Sequence, residues 1–166
     1  MKSFNTAVST VIAIASLAWA SGAFAAEADV TVTRAWVRAT MPGQPVAGAY
    51  LDLEAKRALK LTGVASPVAT RGEVHEMKHE DGMMKMRQVA VVDLPAGRKV
   101  QLAPGGLHVM LFGLQKPLEV GQSIPLTLRF RDAAGKTFER TLTVPVKPID
   151  GGDAENASGQ GDPGKH

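Results

Sequence analysis

The chain of 166 residues contains no cysteine. That absence excludes disulfides, thiolate metal ligands and a thiol nucleophile together. Charge of one sign is also lacking. The net charge is only +3, and the basic residues are scattered rather than clustered. This pattern argues against nucleic acid or an acidic membrane surface as a partner. No glycine-rich phosphate loop occurs, nor a hydrolytic triad with three plausible members, a paired-carboxylate motif or a zinc-protease helix motif. The chain is therefore not expected to be an enzyme. A long helical pattern is missing too, which leaves strands as the building material.

The apolar runs are short. Residues 7–20 form one, preceded by Lys2 and followed by Ala23-Phe24-Ala25. A positive start, an apolar stretch too short for a confident span and a small-x-small site are the parts of a cleavable export signal. Residues 1–25 are read as that signal, which places the mature chain in the periplasm with no stable membrane insertion after cleavage. A single domain is expected over 28–147. Residues 148–166 contain no bulky apolar side chain after Ile149 and are expected to be a disordered tail, since such a composition cannot offset the entropy of ordering.

Between these ends, short alternating segments recur with turn chemistry between them. Strands are predicted over 29–37, 46–54, 71–78, 84–92, 99–102, 107–111, 124–131 and 137–146, with residues 55–66 ambiguous. Eight or nine strands in about 120 residues suggest an all-β, Greek-key sandwich or barrel.

What the chain has in plenty is concentrated in one stretch. Three of its four histidines and five of its seven methionines lie between Val74 and Met110. Asp81-Gly82 is a strong two-residue hairpin signal, because both positions tolerate positive φ. A hairpin there pairs Glu80 with Met83, His79 with Met84, Met77 with Met86 and His75 with Gln88. His75, Met77 and His79 then share a face with Met84, Met86 and Gln88. On the other face Glu76 stands opposite Arg87, an expected ion pair. Farther on, His108 and Met110 project together from one strand. If that strand lies near the hairpin, two imidazoles and two or three thioethers converge. Soft thioether sulfur favours Cu(I), whereas zinc prefers thiolate, carboxylate or more histidines, and calcium prefers oxygen. The competing reading of each residue is plain: a lone strand histidine is usually a surface or core residue, and methionine is a common gap filler.

The same residues carry a family resemblance. His75, Met86, His108 and Met110 follow the pattern H-x10-M-x21-H-x-M. Glu73-Val74-His75-Glu76-Met77, Asp81-Gly82-Met83-Met84-Lys85-Met86 and Pro104-Gly105-Gly106-Leu107-His108-Val109-Met110-Leu111 resemble the local signatures of the periplasmic copper chaperone family PCuAC. The resemblance runs from about residue 30 to 146. It implies a cupredoxin-like β-sandwich that binds one Cu(I) through His75, Met86, His108 and Met110. Met77 has no fixed place in that pattern; its expected position opposite Met86 makes it a spare or auxiliary ligand. The resemblance also implies a copper-accepting partner, such as a cytochrome c oxidase subunit or assembly factor, served by a monomer. Residues 54–61 lack that family's Asn-Gly-rich turn. The tail offers only His166, which does not suggest a second copper site there.

Two other tasks fit the same residues. One is copper sequestration for tolerance; the other is a metal-free adaptor whose methionines form a docking patch. The missing cysteine argues against a blue-copper electron-transfer centre despite the expected fold.

Overall fold

Alternation of apolar and polar side chains, with glycines at the turns, produces ten strands and no helix among the described residues. A computed structural model describes residues 29–148. The expected export signal and, beyond Pro148, the expected tail lie outside the described residues. The strands are β1 (Val30–Arg38), β2 (Val46–Ala55), β3 (Leu59–Ala65), β4 (Arg71–Glu80), β5 (Met83–Gln88), β6 (Val92–Leu94), β7 (Lys99–Leu102), β8 (Leu107–Phe112), β9 (Ser123–Asp132) and β10 (Thr137–Lys147). Two assignments differ from the sequence reading. The ambiguous stretch is strand β3, and the strand expected over 84–92 is two elements. β5 follows β4 only to Gln88; Val92 and Leu94 then leave to pair with Leu61 and Leu59, where both are buried.

The sheet order is β5-β4-β8-β2-β1-β10-β9-β3-β6, with β7 paired to β2. A further pairing of β3 with β4, at Val64 and Gly72, closes the middle of this path into a barrel. Gly72 is what permits the closure, because a Cβ there would collide with the backbone carbonyl of Val64. β8 lies between β4 and β2 although far from both in sequence, the crossed connection expected of a Greek-key fold. The first and last strands run parallel and meet at Val37–Val146 and Arg38–Lys147.

The barrel interior is filled by one face of each strand. Leu51, Leu53, Leu111, Leu126, Leu128, Phe130 and Val144 are essentially inaccessible. Phe138 stacks on Phe130 with ring centroids 5.3 Å apart. On β4 the inward series runs Gly72, Val74, Glu76, Lys78, Glu80. Val74 is the last buried member. Beyond it the inward face is charged, so the β4–β5 hairpin projects past the core instead of covering it.

The turn is as its sequence dictates. Asp81 and Gly82 have φ of 53° and 77°, the paired positive values of a tight hairpin. All six cross-strand pairs from Glu80–Met83 to His75–Gln88 form as the two-residue turn requires. The Glu76–Arg87 ion pair does not form. Glu76 is taken by Lys78 at 3.1 Å, and Arg87 reaches Glu80 at 2.6 Å.

Candidate metal centre

β4 is flanked by β5 on one side and β8 on the other. His75 therefore has two cross-strand neighbours: Gln88 on β5 and His108 on β8. Met110 pairs with Glu73 and Met86 with Met77. Each of these two methionines is thus one diagonal step from His75, at opposite corners. Diagonal neighbours have Cβ atoms about 7–8 Å apart, within reach of long side chains that converge on an ion between them. His75 is the hub of the set. His108 faces it directly, while Met86 and Met110 approach from the two sides.

This face is the outside of the barrel, yet it is not uniformly exposed. His108 is buried, and the His75 side chain is only 12% exposed. Met77 and Met110 are half-buried, and Met86 is 50% exposed. Cover comes from aromatic neighbours. The Phe112 ring lies 5.8 Å from His75, with the Arg71 guanidinium 4.8 Å above the phenyl. On the far side of β8, Gly48 pairs with Met110. The Tyr50 hydroxyl folds over Gly48, in space that any Cβ would contest. Trp36 packs on Tyr50 at 4.6 Å, so two buried aromatic residues form a wall beside the β8 donors.

Each imidazole has one ring nitrogen engaged by a fixed acceptor. His108 donates from Nδ1 to the carbonyl of Gly106 at 2.9 Å, which leaves its Nε2 lone pair free. His75 donates from Nε2 to Glu73 at 2.8 Å. In the neutral ring Nδ1 is then the lone-pair nitrogen, and that atom is buried with no hydrogen-bond partner among the described residues. A buried polar atom without a partner costs about 1–3 kcal/mol, and a lone pair so placed fits a metal ligand. The ring centroids are 6.1 Å apart. With metal–nitrogen bonds of about 2 Å, that separation allows both rings to bind one ion. Glu73 is held in turn by Arg71 at 2.6 Å, giving the carboxylate–imidazole pairing that commonly orients a ligating histidine.

Among the described residues, no three His, Cys, Asp or Glu side chains are grouped to hold a metal. The side chains diagonal to His75 on this face are the thioethers of Met86 and Met110. Two nitrogens plus thioether sulfur is a soft donor set, suited to Cu(I) and poorly suited to zinc, calcium or magnesium.

The structure brings His75, His108 and Met110 into one neighbourhood and sets Met86 at its exposed margin. Met77 lies between His75 and His79 on the same face. His79 is exposed near the turn, as its position suggests. Sequence reasoning missed Glu73, the Gly106 carbonyl and the Tyr50–Trp36 wall. Glu73 could have been found, since a residue two before His75 on a strand shares its face. The wall depends on strand neighbours far apart in the chain.

These features define a class: a cupredoxin-like β-barrel domain with an imidazole–thioether face on its outer surface. The chain belongs to the LpqE-like family, of the PCuAC type, whose model matches residues 30–146. A relative from Leifsonia xyli subsp. xyli that carries a lipoprotein name is 37% identical over 131 residues, covering 78% of this chain and 76% of that one. The solution structure of apo-DR1885 from Deinococcus radiodurans is 31% identical with a TM-score of 0.54, covering 88% of this chain and 97% of that one. The same protein in its Cu(I) form is 34% identical, with a TM-score of 0.50, over 69% of this chain and 74% of that one. The copper-bound PCuAC domain from PmoF2 is 28% identical with a TM-score of 0.56, covering 72% of this chain and 93% of that domain.

Proposed function

We propose that this protein is an exported Cu(I) carrier that works in the periplasm. His75, His108, Met110 and Met86 bind one ion tightly and surrender it to a copper-accepting protein. The observation that carries this reading is the buried, partnerless Nδ1 of His75 beside the oriented ring of His108. The copper in the named PmoF2 and DR1885 structures supports it, and the lipoprotein name of the relative supports export.

Exposure gives the four ligands an order of release. Met86 sits on edge strand β5 and is half exposed, whereas His108 is buried. An incoming ligand can displace Met86 first while the two imidazoles still hold the ion. Copper then passes through shared intermediates and is never free. No redox change is needed. A subunit or assembly factor of cytochrome c oxidase is the acceptor that the reading favours.

The test is an anaerobic Cu(I) titration against a chromophoric chelator. One tight equivalent is expected, weakened at least about 100-fold in His75→Ala/His108→Ala, on the 10–100-fold scale of losing even one supporting contact. A Met86→Ala variant is expected to lose affinity more than Met77→Ala; the reverse result would reassign the fourth ligand. Absence of tight binding would leave the metal-free adaptor. Tight binding without transfer to any acceptor domain would point to sequestration.

A further inference from the structure

The hairpin carries more soft donors than the proposed tight site uses. His79 pairs directly with Met84, and Met77 directly with Met86, all on the face that continues outward from His75. Methionine on a strand is ordinarily a core filler, but that explanation fails here. Past Val74 the opposite face of this hairpin carries Glu76, Lys78, Glu80, Lys85 and Arg87, with Met83 beside the turn and 61% exposed. It is knitted by the Glu76–Lys78 contact at 3.1 Å and the Arg87–Glu80 contact at 2.6 Å. Among the described residues no core lies behind it. Met84 is 52% exposed, and His79 has no hydrogen-bond or ion-pair partner among the described residues. The hairpin thus presents ion pairs with one methionine on one side, and imidazoles, two opposed thioether positions and Gln88 on the other.

The geometry points to a second, weaker Cu(I) site at the hairpin tip, formed by His79 and Met84 and closed by Met77. This inference rests on the proposed Cu(I) carrier function. Directly opposed residues have Cβ atoms about 4.5–5.5 Å apart, so an imidazole and a thioether at 79 and 84 reach one ion without backbone movement. Met77 follows two residues inward on the same face and supplies the third donor. At about 3.3 Å per residue, His79 lies roughly 13 Å from His75. Met77 and Met86 stand between them. The face is therefore a graded track: one imidazole in solvent at the tip, a thioether pair in the middle, two sheltered imidazoles at the end. An ion captured at the tip moves inward by exchanging one thioether at a time.

The experiment uses the full chain and Cu(I) alone, delivered anaerobically from a chelator complex. Wild type is expected to take one tight equivalent and a second that is weaker by roughly 10–100-fold, the scale on which metal sites respond to lost support. In His79→Ala/Met84→Leu the tight equivalent is expected to persist unchanged. The second equivalent is lost, and filling of the tight site from the chelator complex slows by roughly tenfold, on the same scale. Methyl NMR of wild type gives an independent readout, with the Met84 and Met77 methyl signals shifting in the second phase of the titration. A wild type that binds only one equivalent overturns the tip site and leaves the carrier reading standing. So does a second equivalent that survives in the double variant, or a Met84 methyl that never shifts. A wild type that binds no Cu(I) overturns both.

Discussion

Glu73 decides which nitrogen of His75 is available. Its carboxylate accepts from Nε2 at 2.8 Å and leaves Nδ1 bare. Replacing Glu73 with Ala is expected to free the ring to adopt either tautomer and weaken Cu(I) binding by about tenfold, within the range seen for supporting groups of metal ligands. Glu73→Gln keeps an acceptor oxygen and should recover most of the loss. Imidazole 15N shifts of His75 in the apo protein check the cause: a mixed-tautomer signal in the Ala variant, but not in the Gln variant, is the expected pattern. Gly48 makes a second prediction at this scale. A Cβ there would sit 2.8 Å from the Tyr50 hydroxyl and 3.2 Å from the ring carbon bearing it, so the buried ring would have to shift. Gly48→Ala is expected to cost about 1–3 kcal/mol, as overpacking generally does. Adding Tyr50→Phe should return part of that in a thermal melt, because the nearer contact disappears with the hydroxyl.

At the scale of elements, the β4–β5 hairpin is specified locally and the rest of the site is not. Asp81-Gly82 determines the register of every pair from Glu80–Met83 to His75–Gln88, and the alternation of faces follows. That much is legible in the sequence because the interactions are close along the chain. The neighbour on the other side of β4 is β8, whose His108 is 33 positions beyond His75. Nothing between them encodes that adjacency, and only the spacing shared with a known family hinted at it. The failed Glu76–Arg87 pair has a related cause. Register fixes Cβ positions, but Arg87 is long enough to choose among acidic residues, and Lys78 already occupies Glu76. The split of the 84–92 strand arose because a run of valines cannot say which sheet neighbour will bury it. For the turn itself, Gly82→Ala places a side chain at φ 77° and is expected to cost about 1–2 kcal/mol locally. Since among the described residues β5 pairs only with β4, the cost should appear as faster amide exchange in the hairpin and weaker Cu(I) binding. The melting of the barrel should barely move.

At the scale of the whole molecule, one charged brace joins three distant segments. Arg57, after β2, bonds Asp29 at 2.6 Å before β1 and Asp132 at 3.1 Å at the end of β9. The hydrogen bond from Arg57 holds the Asp132 carboxyl below its ordinary value, helped by the backbone amide of Lys136. A depressed carboxyl pKa stabilises the fold above the unfolded value, about 3.9. The contribution is lost as pH falls through the folded value. The stability advantage of wild type over Asp132→Asn should therefore be present at neutral pH and shrink as pH drops below about 4, where the unfolded carboxyl protonates. Urea titrations at the two extremes measure it. Bound copper acts on the same equilibrium from outside. At free Cu(I) about 100 times the dissociation constant, the folded state gains about 2.7 kcal/mol. For a domain of this size each kcal/mol is worth about 2–8 °C, so a rise on the order of 10 °C is expected, absent in His75→Ala/His108→Ala.

The parallel contact of β1 with β10 has a mechanical consequence. Residue 30 begins β1 at one end of the barrel, and β10 finishes beside the far end of β1, at Arg38–Lys147. Tension applied between residues 30 and 147 pulls these strands lengthwise past one another. Their bonds, and those of β1 to β2 and of β10 to β9, are then loaded together in shear rather than unzipped singly. Stretched between its two ends, the barrel should yield only at high force, with β4, β5 and β8 lying off the line of load.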